Sequence, residues 1–179
     1  MERPPEEIDL ADVGAVLRRS RVADLDALQV AIEESRDHLR PFMFWADQSR
    51  EDTAGFLARS EEGWDARQEF GFLMRDGGDG RVLGGGGLHR RGGPETIEIG
   101  YWRRADAGGR GVVTALAGAL TGVGLELDGI ERVEIHCDVA NAASAAVPRR
   151  LGYRLDGVID KTPQAPAETG RHQVWVSPA

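Results

Sequence analysis

The sequence predicts an α/β fold on three observations: runs that alternate apolar and polar residues, stretches with apolar residues at helical spacing, and glycine turns between them. Gly14–Arg21 (GAVLRRSR) reads as the first strand. Val22, Leu25, Leu28, Ile32 and Leu39 then recur at helical spacing, which predicts a helix ending near His38–Arg40, at Pro41. Ser49-Arg50-Glu51-Asp52 is a capping-box-like start for a second helix that carries Phe56, Leu57 and Trp64. Three strands follow, FGFLMRD, RVLGGGGLHRR and ETIEIGYWRR, and the GGDG and GGP turns joining them predict an antiparallel meander. VVTALAGALTGVGLEL reads as a helix whose glycines each cost about 1 kcal/mol relative to alanine. RVEIHCDV alternates as a strand, NAASAAVPRRLG is a short helix with Asn141 as its N-cap, and YRLDGVID and HQVWVS close the chain as strands. The predicted order is β-α-α-β-β-β-α-β-α-β-β. Thr162–Gly170 (TPQAPAETG) reads as a mobile loop.

With 179 residues, 41% hydrophobic and 29% charged, the sequence fits one domain spanning 1–179. The net charge of −8 opposes a general nucleic-acid or membrane-surface role, since phosphate binding needs a basic field. The longest apolar run, around Val112–Val123, is interrupted by Gly118 and Gly122 and is shorter than the ~20 residues of a membrane span. The opening MERPPEEIDL is acidic and proline-bearing where a signal peptide would be basic and then apolar, so a soluble, cytoplasmic protein is expected. Cys137, the single cysteine, excludes an internal disulfide and reads as a small buried hydrophobe. His89 and His136 lie in strand-like runs without metal-ligand spacing, so both read as structural and no metal is expected.

The stretch ADAGGRGVVTALAGAL places Gly108, Gly109 and Gly111 just before a helix start. Such a loop lets backbone approach a bound group, and the free N–H groups of the first helical turn attract an anion. Two familiar anion loops are excluded. Lys161 is the only lysine, so no Gly-Lys-Ser/Thr phosphate loop exists, and Thr114 stands where the dinucleotide fingerprint needs its third glycine. In the following helix, Pro148 has no N–H to donate and so leaves the Ser144 carbonyl without its helical partner, which predicts a kink and frees that carbonyl for another donor.

Strand EIGYWRR, loop ADAGGRG and the run N-A-A-S-A-A-V-P-R-R-L-G-Y together resemble the GCN5-related N-acetyltransferases (GNAT), and within them the ribosomal-protein N-terminal acetyltransferase (RimJ/RimL-like) branch. H-L-R-P at His38–Pro41 and G-L-H-R at Gly87–Arg90 add to the resemblance, which spans about Gly14 to Val176. It implies the GNAT fold, an α/β (α+β) arrangement with a mixed, mostly antiparallel central sheet flanked by helices. It also implies acetyl-CoA as co-substrate, so that the anion becomes its pyrophosphate. The family loop Gln/Arg-x-x-Gly-x-Gly/Ala falls on Gly108, Gly109, Arg110, Gly111, Val112 and Val113, and only Gly111 matches it cleanly. Gly108 replaces Gln/Arg, while Val113 replaces a small residue and is expected to crowd the pyrophosphate.

By the same resemblance, Tyr101, Trp102 and Arg103, the loop from Gly108 to Thr114, Asn141, Ser144 and Arg150 bind the coenzyme. The thioester lies beside Ile97–Trp102, where a splay from RVEIHCDV frees backbone N–H groups to polarise its carbonyl. Glu98 faces away from Ile97, Ile99 and Tyr101 by strand alternation, and reads either as the group taking the amine proton through water or as a carboxylate paired with an arginine. Ser144 reads either as the hydroxyl serving the departing sulfur or as a helix-surface serine behind the Asn141 cap. Arg149 is a further phosphate candidate, and Tyr153 has a packing role. His38, Arg40, Phe42 and Trp45, in HLRPFMFWA, read either as lining the acceptor side, as in the resembling branch, or as loop residues whose aromatics cap the core. The expected reaction is direct attack of a primary amine on the acetyl thioester, the acceptor being a protein N-terminal α-amine or a small amine. A degenerate acyl-CoA-binding module without turnover, a longer acyl group such as succinyl and a homodimer stay open as alternatives.

Overall fold

Gly14, at φ +62°, turns the chain back after a short 3₁₀ turn, and so pairs a first strand, β1 (Glu7–Leu10), antiparallel with β2 (Ala15–Arg19). In the computed structural model, which describes residues 1–178, all eight strands form one sheet in the order β1-β2-β3-β4-β5-β6-β8-β7. The predicted meander is β3 (Glu69–Asp76), β4 (Val82–His89) and β5 (Thr96–Arg103), each antiparallel to the next. β5 pairs in parallel with β6 (Arg132–Asp138), and the closing hairpin β7 (Arg154–Asp160) and β8 (Arg171–Val176) joins β6 through β8. This is the mixed, mostly antiparallel sheet expected from the sequence, with β1 as an added edge strand.

The first predicted helix is broken in two. After a 3₁₀ turn at Val22–Asp24, α1 (Leu25–Glu33) stops and α2 (Arg36–Leu39) restarts beyond Ser35. The cause is a distant contact. Ser35 is buried and its Oγ accepts the Ala105 N–H at 3.1 Å, while neighbouring Glu34 pairs with Arg104 at 2.6 Å. α3 (Arg50–Asp65) starts on the predicted capping box, with Ser49 Oγ accepting the Asp52 N–H and Asp52 accepting the Ser49 N–H.

Adjacent Val82 and Leu83 feed opposite faces, as strand alternation requires. Leu83 belongs to the main core, where Leu116 and Leu120 of α4 (Val112–Glu126) meet Ile97, Ile99, Val133 and Ile135. Val82 joins the second core with Leu28, Ile32, Leu57 and Leu73 under α1 and α3. Trp64 stands edge-on to Phe70 and Phe72, with ring centroids 5.2 and 5.1 Å away. Tyr153 is buried as predicted, its hydroxyl 2.6 Å from Thr121 Oγ1. At the far edge, β7 is exposed along its whole length, Leu155, Val158 and Ile159 included, and its pairing slips by one residue between Leu155 and Gly157.

The loop predicted to be mobile is tied down. Asp138, 3% exposed, accepts the N–H groups of Ala140, Thr169 and Gly170 and the Thr169 hydroxyl, and Ala167 N–H reaches the Pro41 carbonyl at 2.9 Å. Burial pushes the Asp138 carboxyl up, but these donors outweigh it and hold the group below its ordinary value. A depressed carboxylate stabilises the fold at pH above its unfolded pKa, and that contribution is lost as pH falls through the folded one. Asp138→Asn is therefore expected to cost about 1–3 kcal/mol at pH 7, with the gap to wild type closing below pH ~4, as read by urea unfolding against pH.

Candidate active site

The parallel pairing of β5 with β6 stops at Glu98 and Glu134. Beyond it β5 keeps to β4 as far as Arg103, β6 keeps to β8 as far as Asp138, and a wedge opens between them. This is the splay expected from the sequence.

One face of the wedge carries hydroxyl groups. Tyr101 donates its hydroxyl to the Ser144 carbonyl at 3.1 Å and lies 3.2 Å from Ser144 Oγ. That carbonyl is the one Pro148 leaves free inside α5 (Ala142–Arg150), so a missing helical donor is replaced by a side chain from the sheet. α5 runs unbroken through the proline. Asn141 caps it by accepting the Ser144 N–H at 3.0 Å. Burial raises the Tyr101 hydroxyl far above its ordinary value, so it stays protonated as a donor. Cys137 is buried as predicted and burial pushes its thiol up, against hydrogen bonds involving Ser144 and Trp175.

The opposite face carries carboxylates and imidazoles. Glu98 does face away from Ile97 and Ile99, whose side chains are buried in the core. Among the described residues no arginine is paired with it. Its Oε2 instead lies 3.8 Å from His136 Nδ1, and His136 Nε2 lies 2.6 Å from Glu134 Oε2. Arg132 bonds Glu134 and Asp156, fixing the carboxylate that holds His136.

At the wide end of the wedge, Ala105–Ala107 forms a 3₁₀ turn and the chain enters α4 through Gly109 and Gly111, at φ +78° and +73°. Non-glycine residues rarely adopt this region. The amides of Val112, Val113 and Thr114 precede the first helical bond, from Ala115 N–H to the Gly111 carbonyl at 3.0 Å, and so form an anion-attracting helix start.

A cleft of about 430 Å³ runs along these elements. Tyr101, Trp102 and Arg103 line it from β5, and Gly109 with Gly111–Thr114 from the loop. Asn141, Ser144 and Arg150 close it from α5 and its cap, and His38 and Phe42 from α2 and the turn after it. Burial and the Arg103 charge keep the His38 imidazole below its ordinary value. A second hollow of about 890 Å³ shares Gly109, Gly111, Thr114 and Arg150 with the cleft and extends it over Gly118 toward Asp9 and Asp12.

Several expected residues are placed elsewhere. Arg110 points away from the cleft, pairing with Asp76 at 3.1 Å and the Val13 carbonyl at 3.3 Å, so it props the loop. Gly108 has φ −71° and faces the Arg103 guanidinium, outside the cleft lining. Arg103 lines the cleft but commits its Nη1 to the Arg104 and Ala105 carbonyls. Arg40 pairs with Asp47 and Asp37, Trp45 stacks edge-on against Trp102 at 5.6 Å, and Arg149 lies 5.2 Å over Trp175. Val113, expected to crowd an anion, lines the cleft and also packs partly buried against the main core. His136, which strand patterning alone marks as structural, stands at the wedge instead, held by Glu134, a residue the sequence reading did not single out. Only the parallel register between β5 and β6 reveals them.

A mixed sheet opened between two parallel strands, with a glycine turn and helix start at its mouth, is a fold that solved acetyltransferases share. The microcin self-immunity acetyltransferase MccE, solved with acetyl-CoA and AMP, superposes with a TM-score of 0.87 at 21% identity, over 98% of this chain and 97% of that one. RimL, a ribosomal α-N-protein acetyltransferase solved with coenzyme A, gives 0.82 at 20% identity, over 91% and 93%. In sequence, YdaF of Bacillus subtilis (strain 168), assigned as a ribosomal N-acetyltransferase, is 38% identical over 60 residues, which are 34% of this chain and 33% of that protein. This match thus spans about a third of the relative's length.

The profile described as "Acetyltransferase (GNAT) domain" matches residues 15–154, and the chain belongs to the GNAT acetyltransferase family of acyl-CoA-dependent enzymes. YdaF and RimL fall in the ribosomal-protein branch that the sequence resembles.

Proposed function

We propose that this chain, acting as one acyltransferase domain, moves the acetyl group of acetyl-CoA to a primary amine by direct attack. The observation that carries this reading is the two-faced wedge, with the Tyr101–Ser144 hydroxyl pair on one face and Glu98 on the other. The pyrophosphate sits on the amides of Gly109–Thr114, the pantetheine arm runs past Asn141 and Ser144, and the nucleotide end extends toward Arg150 and the larger hollow. The thioester then lies at the wedge, and the amine approaches from the Glu98 face. Ser144 and Tyr101 serve the departing sulfur, while Glu98 holds the amine. RimL bears on an N-terminal α-amine of a protein as acceptor, and the four carboxylates Glu98, Glu134, Asp138 and Glu168 along this face suit a cation. The site of action is the cytoplasm, where acetyl-CoA and such acceptors meet.

Two measurements test the reading together: thermal stabilisation by acetyl-CoA, and thiol release across a panel of peptides with free α-amines and small primary amines. Stabilisation with release supports it. Stabilisation without release from any amine replaces it by an acyl-CoA-binding module, and neither signal removes it. Gly111→Val, which forces a β-branched residue to positive φ at the phosphate turn, is expected to weaken acetyl-CoA at least tenfold in a calorimetric titration. Unchanged affinity would remove the loop from the coenzyme site.

A further inference from the structure

The imidazole of His136 stands beside Glu98 at the apex of the wedge. A carboxylate can only accept, so in the neutral imidazole the 2.6 Å contact places the N–H on Nε2, donating to Glu134, and the lone pair on Nδ1. That lone pair and Glu98 Oε2 are 3.8 Å apart, and both are acceptors, so neither satisfies the other. A nitrogen donating to both at about 2.9 Å fits between them, as a substrate ammonium group would. Both side chains are largely buried, at 15% exposure, and both stand at the apex where β5 and β6 part. Glu98 comes from the last paired position, and His136 lies two residues beyond its partner Glu134.

Resting on the acetyl-transfer reading above, we propose that His136 is the base that takes the proton of the acceptor amine, that Glu134 is its positioning residue, and that Glu98 holds the ammonium in place. The ammonium gives one proton to Nδ1, and the freed pair forms the N–C bond to the thioester carbon. The C–S bond breaks with its electrons on sulfur, and the surplus proton of the attacking nitrogen ends on sulfur through the Ser144 hydroxyl. Coenzyme A leaves as the thiol, and the imidazolium returns its proton to water. An imidazole suits this step because it exchanges protons near neutral pH. The groups around it are Glu98 from β5, with His89 of β4 opposite in the sheet, Glu134 and Asp138 from β6, and His172 from β8. Lys161 and Glu168, from the loop between β7 and β8, act on His172. Arg132 also bonds Glu134, so the carboxylates Glu98, Glu134, Asp138 and Glu168 face two cations, Lys161 and Arg132, an arrangement that supports a transient imidazolium.

His136→Gln removes the base and keeps a hydrogen-bonding group. With a dipeptide carrying a free α-amine, kcat at pH 7 is expected to fall about 10²-fold while the acetyl-CoA KM stays within twofold. The deficit shrinks as pH rises past about 8, where the α-amine is already neutral in solution. Imidazole added to His136→Ala restores part of the rate, and Glu134→Gln displaces the acidic limb of the kcat/KM profile. Full kcat in His136→Gln at every pH, or a loss of the same size at every pH, overturns the proposal. If that variant does not fold, an unmoved acidic limb in Glu134→Gln overturns it equally. Wild-type protein that releases no thiol with any amine defeats the transfer reading itself, whereas wild-type turnover alongside an unaffected His136→Gln defeats only the role of His136.

Discussion

Gly84→Ala is expected to lower the melting temperature by roughly 6–12 °C or to prevent folding outright, the largest stability loss of any one-carbon change in the sheet. A Cβ at Gly84 would sit 2.4 Å from the Trp102 carbonyl oxygen and 2.8 Å from the Arg103 Cα. Both obstacles are backbone of the neighbouring strand, so no rotamer change relieves them. β4 lies between β3 and β5, and moving β5 away would also shift the wall of the wedge that holds Tyr101. Overpacking of this kind costs about 3 kcal/mol or more, and each kcal/mol lowers the melting temperature of a chain this size by about 2–4 °C. Gly157→Ala, where no atom lies within 4 Å of the added carbon, is the matched control and should be nearly neutral. A soluble Gly84→Ala protein that melts with wild type would show that β4 and β5 can separate freely.

Removing both hydroxyl groups of the wedge, in the double variant Tyr101→Phe with Ser144→Ala, is expected to lower kcat about 10²–10³-fold with little change in acetyl-CoA affinity. In the proposed transfer the departing sulfur needs a proton, and these two hydroxyl oxygens, 3.2 Å apart, stand on that face. Each single variant leaves its partner in place, so each should lose only about tenfold, and the effects should combine non-additively because the residues touch. Thiol release at saturating acetyl-CoA gives kcat, and calorimetric titration gives affinity. Wild-type kcat in the double variant would take both hydroxyls out of the chemistry.

Local patterns were enough for much of this architecture. Alternation and glycine turns located the strands from β2 onward, the Ser49–Asp52 box located α3, and Pro148 pointed to the carbonyl that Tyr101 uses. Where the sequence misled, the deciding contact was far away along the chain. β1 is four residues long and becomes a strand only through β2, so no periodicity could reveal it. Ser35 breaks a helical pattern because Ala105 claims its hydroxyl. Arg110 sits inside a phosphate-type loop by position, yet Asp76 draws it to the other side. His136 looked like an ordinary strand residue because one sequence does not state which residues of two parallel strands stand abreast.

The crooked pairing of β7 has its own consequence. An outer strand with one free edge, bearing leucine, valine and isoleucine in water, would ordinarily template a stray chain, and so nucleate fibres. The extra residue beside Leu155 bends that rail, so an incoming backbone would find its donors and acceptors out of step. Deleting one residue there would straighten the rail and turn a harmless border into an adhesive one.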